Sequence, residues 1–199
     1  MRIVGGRLRG RVLAAPKSQA IRPTADRLRE ALFNILVHAY GDPLPGARVV
    51  DLFAGTGALG LEALSRGAQF ALFVDHAAEA RALLRENVAT LGVGGATRIF
   101  RRDATRLGVL TALAPFSLVF LDPPYGQGLA ERALASAREG GWLSPAALAV
   151  VEEATTASFT APEGFAEMER RPYDDTEFIF LSYSENPILP LGPAHAHSP

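Results

Sequence analysis

"ARVVDLFAGTGALGLEALSRG", Ala47 to Gly67, decides the fold of this chain: a short run of valine and leucine passes through closely spaced glycines into a helical segment that Gly67 closes. The apolar run has the length of a buried strand, and the glycines allow the sharp reversal that carries the backbone from strand to helix. The same unit recurs downstream. "FALFVD" (70–75) precedes the helical "HAAEARALLRENVATLG" (76–92), and "ATRIFRRD" (96–103) precedes a helical or loop segment. "FSLVFLD" (116–122) precedes a helix expected to start near Gly128, and "ALAVVEE" (147–153) is a fifth strand. "FAEMERRPY" (165–173) and "TEFIFLSY" (176–183), joined at Asp174 and Asp175, predict an antiparallel terminal pair. Upstream, "RPTADRLREALFNILVHAYG" (22–41) predicts a helix with Thr24 as N-cap, Leu28, Leu32, Ile35 and Leu36 on one face, and Gly41 at its end. Strands alternating with helices imply right-handed βαβ units. The expected fold is therefore α/β, a mainly parallel seven-stranded sheet with helices on both faces.

A chain of 199 residues, 48% hydrophobic and 21% charged, holds one substantial core. No apolar run approaches the roughly 18 residues that span a bilayer, and the N-terminus carries no apolar h-region, so a cytoplasmic protein is expected. The absence of cysteine excludes disulfides and thiolate metal sites. His195 and His197 lie in "ENPILPLGPAHAHSP" (185–199), a proline-rich segment expected to be a disordered tail, and no metal site is expected.

The total charge of −1 conceals an asymmetry. Residues 1–30 hold eight basic and two acidic side chains, a balance of +6 that leaves −7 to the remainder. The segment 1–23 is read as a basic arm ahead of the main domain, 24–184. Arginine suits phosphate backbones because its guanidinium offers two parallel donors, so Arg7, Arg9 and Arg11 are candidate RNA contacts. Equally, basic residues are common on solvated faces.

Four expected strands end in acids: Asp51, Asp75, Asp103 and Asp122. In a parallel sheet the carboxyl ends share one edge, where ligands bind, so the four carboxylates line one rim. Gly55, Gly57 and Gly60 satisfy G-x-G-x-x-G, a pattern that is weak alone but suits a ligand lying against helix N-terminal amides. Asp75 stands where a strand-end carboxylate accepts from ribose hydroxyls. A nicotinamide dinucleotide and S-adenosylmethionine both fit these features. Asp51, just before the loop, separates them: it would repel a pyrophosphate and attract an ammonium or sulfonium, and the loop has no adjacent lysine or arginine to balance phosphate. Asp103 is placed to accept from an adenine amino group. The neighbouring Phe53, Thr56, His76 and Ala104 complete the expected cofactor contacts.

"LVFLDPPYG" (118–126) supplies the chemistry. Proline fixes φ and extends the preceding residue, so Asp-Pro-Pro-Tyr could be turn chemistry alone. Its acid, however, lies on the cofactor rim. An exocyclic amine attacking a methyl group acquires positive charge, and the Asp122 carboxylate and Pro123 carbonyl could accept its N–H groups. Tyr125 offers a flat surface on which an extruded base stacks.

"DLFAGTG" with "LDPPYG" resembles the Rossmann-like class I S-adenosylmethionine-dependent methyltransferases that act on exocyclic amines. "RIVGGRLRGRVL", "RPTADRLREALFNIL", "DLFAGTGALGLEALSRGA" and "VFLDPPY", in this order, are similar to the RsmD family, which methylates a guanine N2 in bacterial 16S ribosomal RNA. The resemblance spans about Arg2 to Tyr183. It implies S-adenosylmethionine as cofactor, small ribosomal subunit or its assembly intermediate as substrate, and Arg22, Pro23 and Thr24 beside the cofactor, with Arg22 a partner for its carboxylate. A monomer is expected. Two features depart from the family pattern: the proline-rich tail and the acidic "RRPYDDTEFIF". An adenine-N6 DNA methyltransferase is the alternative enzyme, although 199 residues leave little room for a separate target-recognition segment. An RNA-binding protein without catalysis and a nicotinamide-dependent reductase rank below it.

Overall fold

The computed structural model describes residues 1–16 and 23–185, and of residues 23–25 the backbone only. Arg22, the side chain of Thr24 and the tail segment 186–199 therefore lie outside the described residues. In chain order the elements are α1 (Pro23–Ala39), β1 (Arg48–Leu52), α2 (Ala58–Ser65), β2 (Phe70–Val74), α3 (Ala78–Leu91), β3 (Thr97–Phe100), β4 (Phe116–Leu121), α4 (Leu129–Glu139), β5 (Leu143–Ala154), β6 (Phe165–Tyr173) and β7 (Thr176–Tyr183). The helix α1 begins at Pro23, so Thr24 stands inside its first turn and not at the cap; proline's fixed φ suits that first position.

The seven strands form one sheet in the order β3-β2-β1-β4-β5-β7-β6. Strands β1 to β5 pair in parallel, and β7 runs antiparallel to both β5 and β6. Alternate strand residues feed opposite faces. Val49, Phe73 and Phe120 pack with Leu32 and Leu36 of α1, Leu61 of α2 and Leu84 of α3 on one side. Val50, Leu72 and Val119 pack with Ala133 and Leu134 of α4 and with Trp142 on the other. Three helices cover one face and α4 covers the second, which is the doubly wound arrangement expected from the alternation. The chain reverses direction across the sheet between β1 and β4, and the crevice at that switch point is where such sheets bind ligands.

Two strand boundaries differ from expectation: β5 begins at Leu143, four residues before Ala147, and β3 stops early. β3 ends at Phe100 and not beside Asp103, whose carboxyl accepts from the backbone N–H of Thr105 at 2.9 Å and caps a single 3-10 turn, Ala104–Arg106. β3 is the sheet's edge strand, with Ile99 and Phe100 only partly buried, so nothing packed on its outer side extends the ladder.

Residues 1–16 of the basic segment pack onto the domain. Arg2 and Val12 form an antiparallel bridge, and Ile3 and Leu13 are buried in the core. Its tip lies on the C-terminal end of α2. The Ser65 hydroxyl donates to the Gly5 carbonyl at 2.6 Å and accepts from Leu8 N–H at 2.9 Å. Gly6 adopts φ +71°, and a Cβ there would stand 2.0 Å from the Ser65 carbonyl oxygen, so only glycine allows this approach. The strongest tie is Glu62 of α2, fully buried, whose carboxyl accepts from Val4 N–H at 2.9 Å and Gly5 N–H at 2.8 Å.

Candidate active site

At the switch point a cavity of about 560 Å³ opens beside the carboxyl ends of β1 and β4. Five of the residues expected from the sequence line it: Asp51, Phe53, Gly55, Thr56 and Asp122. The turn that follows β1 shapes its floor. Phe53 takes φ +63°, a region sparsely used by side-chain-bearing residues, and Gly55 takes φ +54°. A Cβ on Gly55 would meet no atom closer than 4.0 Å, so this glycine faces open space, while at Gly57 a Cβ would stand 2.3 Å from Leu84 Cδ1. At Gly60 it would stand 2.4 Å from Phe73 Cε1. The three glycines thus divide their work: the first presents bare backbone to the cavity, and the others let α2 lie tightly on β2 and α3.

Asp75 does not line the cavity itself. It holds the loop that does: one oxygen accepts from Gly55 N–H at 2.9 Å and the other from Ala77 N–H at 2.8 Å. His76 is exposed beside it. Asp103 and Ala104 lie farther along the same rim; Thr105 and Arg106, with His76 near, hold the Asp103 carboxyl below the usual carboxylate range. Gly57, Pro123 and Tyr125 are also outside the cavity wall proper, Tyr125 half-exposed at its mouth.

Asp51 is buried, and its carboxyl accepts from Gly60 N–H at 3.0 Å. Burial pushes its pKa up to about 8; the Gly60 amide opposes the shift and the Asp75 charge adds to it. Asp122 accepts no hydrogen bond from any described residue. The residue keeps contact with solvent along the cleft, yet protein crowds its carboxyl. That desolvation, then the charges of Glu152, Asp51 and Glu153, raise its pKa well above the carboxylate range. The shift holds to the degree that an occupant keeps water out of the cleft.

Two further cavity residues escaped the sequence reading. Glu152, at the end of β5, lines the cavity and accepts from the Tyr125 hydroxyl at 2.7 Å. Arg29 reaches in from α1, nearly fully buried, where it donates to Asp26 at 2.8 Å and pairs with Glu62 at 3.6 Å. The expectation that the glycine loop has no cation nearby therefore holds along the chain but not in space, although both acids neutralise Arg29. The ends of the N-terminal hairpin close the wall: Met1 and Pro16 line the cavity, and Asn87 of α3 pairs with both backbone groups of Ala14 while donating to the Thr56 carbonyl at 2.9 Å. The side chains of Arg7 and Arg9 are exposed and make no hydrogen bond or ion pair with described residues, whereas the Arg11 guanidinium donates to the Thr90 carbonyl at 2.7 Å. No group of three or more acids or histidines arranged to hold a metal occurs among the described residues. None of their helices is long and apolar enough to cross a membrane.

Comparison with known proteins gives the geometry a family. Residues 1–182 match the profile of the family described as Conserved hypothetical protein 95. The ribosomal RNA small subunit methyltransferase D of Escherichia coli is 42% identical over 152 residues, 76% of this chain and 74% of that protein. The Haemophilus influenzae protein of the same name is 35% identical over 173 residues, 86% of this chain and 88% of that one. Among solved structures, the methyltransferase candidate yhhF of Escherichia coli superposes with a TM-score of 0.78 at 32% identity, covering 94% of this chain and 99% of that one. With its seven-stranded mixed sheet, its loop at the β1 switch point and this similarity along almost its whole length, the chain belongs to the ribosomal RNA small subunit methyltransferase D family and has the Rossmann-like class I methyltransferase fold.

Proposed function

We propose that the protein transfers a methyl group from S-adenosylmethionine to the exocyclic N2 amine of a guanine in 16S ribosomal RNA of the small subunit or its assembly intermediate. The observation that carries this reading is that Asp51 and Asp122, at the ends of adjacent strands β1 and β4, line one cavity together with the bare Gly55 backbone. The relatives' names support the RNA substrate.

S-adenosylmethionine, when bound, supplies a methyl group on a sulfonium. The chain's own residues fit such a group. Asp51, Asp122 and Glu152 line the cavity, where burial raises the pKa of each; a cation there favours their ionised forms and is held by them, whereas a pyrophosphate would be opposed by them. Phe53, Gly55 and Thr56 form the floor against which a nucleoside would lie, and Asp75, which ties that loop down, retains lone pairs for ribose hydroxyls. Asp103 is assigned to the adenine end, with His76 and Ala104 beside it, and Arg22 and Thr24 to the border of the site. At the other end, Asp122 and the Pro123 carbonyl accept the two N–H groups of the target amine, and Tyr125 stacks on the base. As the new C–N bond forms and the C–S bond breaks, the amine nitrogen becomes cationic and its proton leaves by way of the Asp122 carboxylate to water.

The test is transfer of labelled methyl to small subunits from cells lacking the activity, followed by nucleoside analysis and mapping of the modified position. N2-methylguanosine is expected. Finding N6-methyladenosine, or label on DNA alone, would overturn the reading.

The raised Asp51 pKa makes donor binding pH-dependent. From about pH 4 to about 8 the folded, ligand-free protein holds a proton that the unfolded chain has released, so this group's contribution to stability falls as pH rises through that interval. A cation in the cavity favours the carboxylate and expels the proton. The affinity for S-adenosylmethionine is therefore expected to rise with pH to about 8 and then level off, with proton release detectable by calorimetry in buffers of different ionisation enthalpy. Affinity that is flat over the interval would remove Asp51 from contact with the cation.

The side chains of Arg7 and Arg9 are exposed and have no hydrogen-bond or ion-pair partner among the described residues, so they are assigned to RNA phosphates together with Arg11. Replacing Arg7 and Arg9 by glutamine is expected to weaken RNA binding and lower the slope of log affinity against log salt by about 1.5 to 2. Arg11 is expected to contribute less, since Thr90 already holds it.

A further inference from the structure

Transfer to an exocyclic amine calls for an acceptor on each of its two N–H groups, and Asp122 with the Pro123 carbonyl accounts for both. Glu152 is a further acceptor on the cavity wall. Glu152 lies on β5, next to β4 in the sheet, and its carboxyl is the charge that acts most strongly on Asp122. Setting a second carboxylate beside the first is unfavourable, so a purely structural role would have to offset that repulsion. The neighbouring Glu153 has such a role: it is buried and accepts from Gly126 N–H and Ala154 N–H, both at 2.9 Å, which fixes the turn after the prolines. Glu152 has none of these ties. One oxygen takes the Tyr125 hydroxyl, the other accepts nothing from the described residues, and the residue lines the cavity.

The structure assigns Glu152 as the residue that reads the target base, its carboxylate accepting the guanine N1–H beside the reacting N2 amine. The assignment rests on the guanine-N2 reading above and deepens it. Guanine presents N1–H and N2–H as neighbouring, nearly parallel donors, which two adjacent carboxylates can receive together. A purine with an acceptor at N1, such as adenine or 2,6-diaminopurine, sets a lone pair against the Glu152 oxygen. Discrimination of about 10- to 100-fold follows from a contact of this kind. Tyr125 gains a second task, since its hydroxyl aims Glu152 while its ring faces the base.

The test uses small subunits reconstituted with 16S rRNA carrying either guanosine or 2,6-diaminopurine riboside at the mapped position. Both bases keep the 2-amine; they differ at N1, where diaminopurine has no proton, and at C6, where it carries an amine in place of the carbonyl, so the change in the ratio between wild type and Glu152→Gln isolates the N1 contact. The wild-type protein is expected to methylate the diaminopurine subunit about 10- to 100-fold more slowly. Glu152→Gln, whose amide can donate to an N1 acceptor, is expected to slow on guanosine and to shift the ratio of the two rates toward diaminopurine by at least about tenfold. Tyr125→Phe keeps the carboxylate but frees it, and is expected to shift the ratio in the same direction by less, so the assignment stays testable if Glu152→Gln fails to fold. Wild-type protein that methylates guanine N2 but uses both subunits equally, or variants that leave the ratio unchanged, would overturn the assignment of Glu152 alone. Failure of wild-type protein to methylate guanine N2 would overturn the functional reading and this assignment with it.

Discussion

Asp122→Ala is expected to lower turnover about 100- to 1,000-fold, the loss that follows removal of one group aimed at charge developing in a transition state. The physical reason lies in how little else engages this carboxyl: no described residue donates to it, so its acceptor capacity is reserved for whatever enters the cavity. Affinity for S-adenosylhomocysteine should survive the change, because Asp51 and the Gly55 loop stay in place. Asp122→Asn is the sharper variant. It keeps a carbonyl acceptor but loses the charge, so its turnover is expected between that of the wild type and the alanine variant. The pH profile separates the two contributions. Protein crowding of the Asp122 carboxyl, then Glu152, Asp51 and Glu153, raise its pKa, and the working form is the ionised one. The wild-type rate should therefore fall, as pH is lowered, at a pH above the ordinary carboxylate range, and Asp122→Asn should lack that limb. Single-turnover measurements across pH check this. An alanine variant within about threefold of wild type would end the argument for Asp122 as the group that receives the amine's proton.

Why Asp122 could be found in the sequence while Glu152 could not is a question of what a one-dimensional pattern carries. The acids at the ends of β1, β2 and β4 follow apolar runs whose lengths fix where each strand stops, and the parallel order then puts them on one rim. The same rule applied to "VVEE" at the end of β5 would have found Glu152, but two adjacent acids leave open which one faces the cavity; only the turn that Glu153 holds decides it. Asp103 shows the rule's limit. It followed an edge strand with little packed against it, so β3 stopped at Phe100 and the acid became a cap. Arg29 was illegible for another reason. In "DRLRE" it looks like a solvated helix face, and it is buried only because the N-terminal hairpin folds across that face, a contact between segments 27 residues apart that periodicity does not encode. The anchoring of the hairpin was illegible for the same cause: its arginines dominate the composition, while Ile3 and Leu13, which anchor it, are two residues in a basic segment.

The hairpin's anchor carries the largest expected effect on stability. Glu62→Ala is expected to cost about 3 to 5 kcal/mol, the range for removing one partner from a buried ion pair. Glu62 is fully buried and gathers three hydrogen-bond donors, Val4 N–H, Gly5 N–H and Arg66 Nε at 2.7 Å, and it also pairs by charge with Arg29, whose Nε stands 3.6 Å away without a hydrogen bond. Truncation leaves two partly buried backbone donors without an acceptor and two guanidinium groups without the fully buried charge they share. Glu62→Gln should also destabilise, because its amide nitrogen turns a donor toward groups that are themselves donors. The loss would not stay local. Arg29 lines the cavity and also donates to the Arg2 carbonyl, so freeing it loosens the wall formed by Met1 and the start of the hairpin. Urea unfolding should show a lower midpoint at little-changed slope, and hydrogen exchange at the Val4 and Gly5 amides should rise far more than at β1. The affinity for S-adenosylhomocysteine should fall along with them, because the cavity wall and the fold share this one carboxylate. If Glu62→Ala cost under about 1 kcal/mol and left the Val4 and Gly5 amides protected, the hairpin would have to be held mainly by Ile3, Leu13 and the Asn87 clamp, not by Glu62.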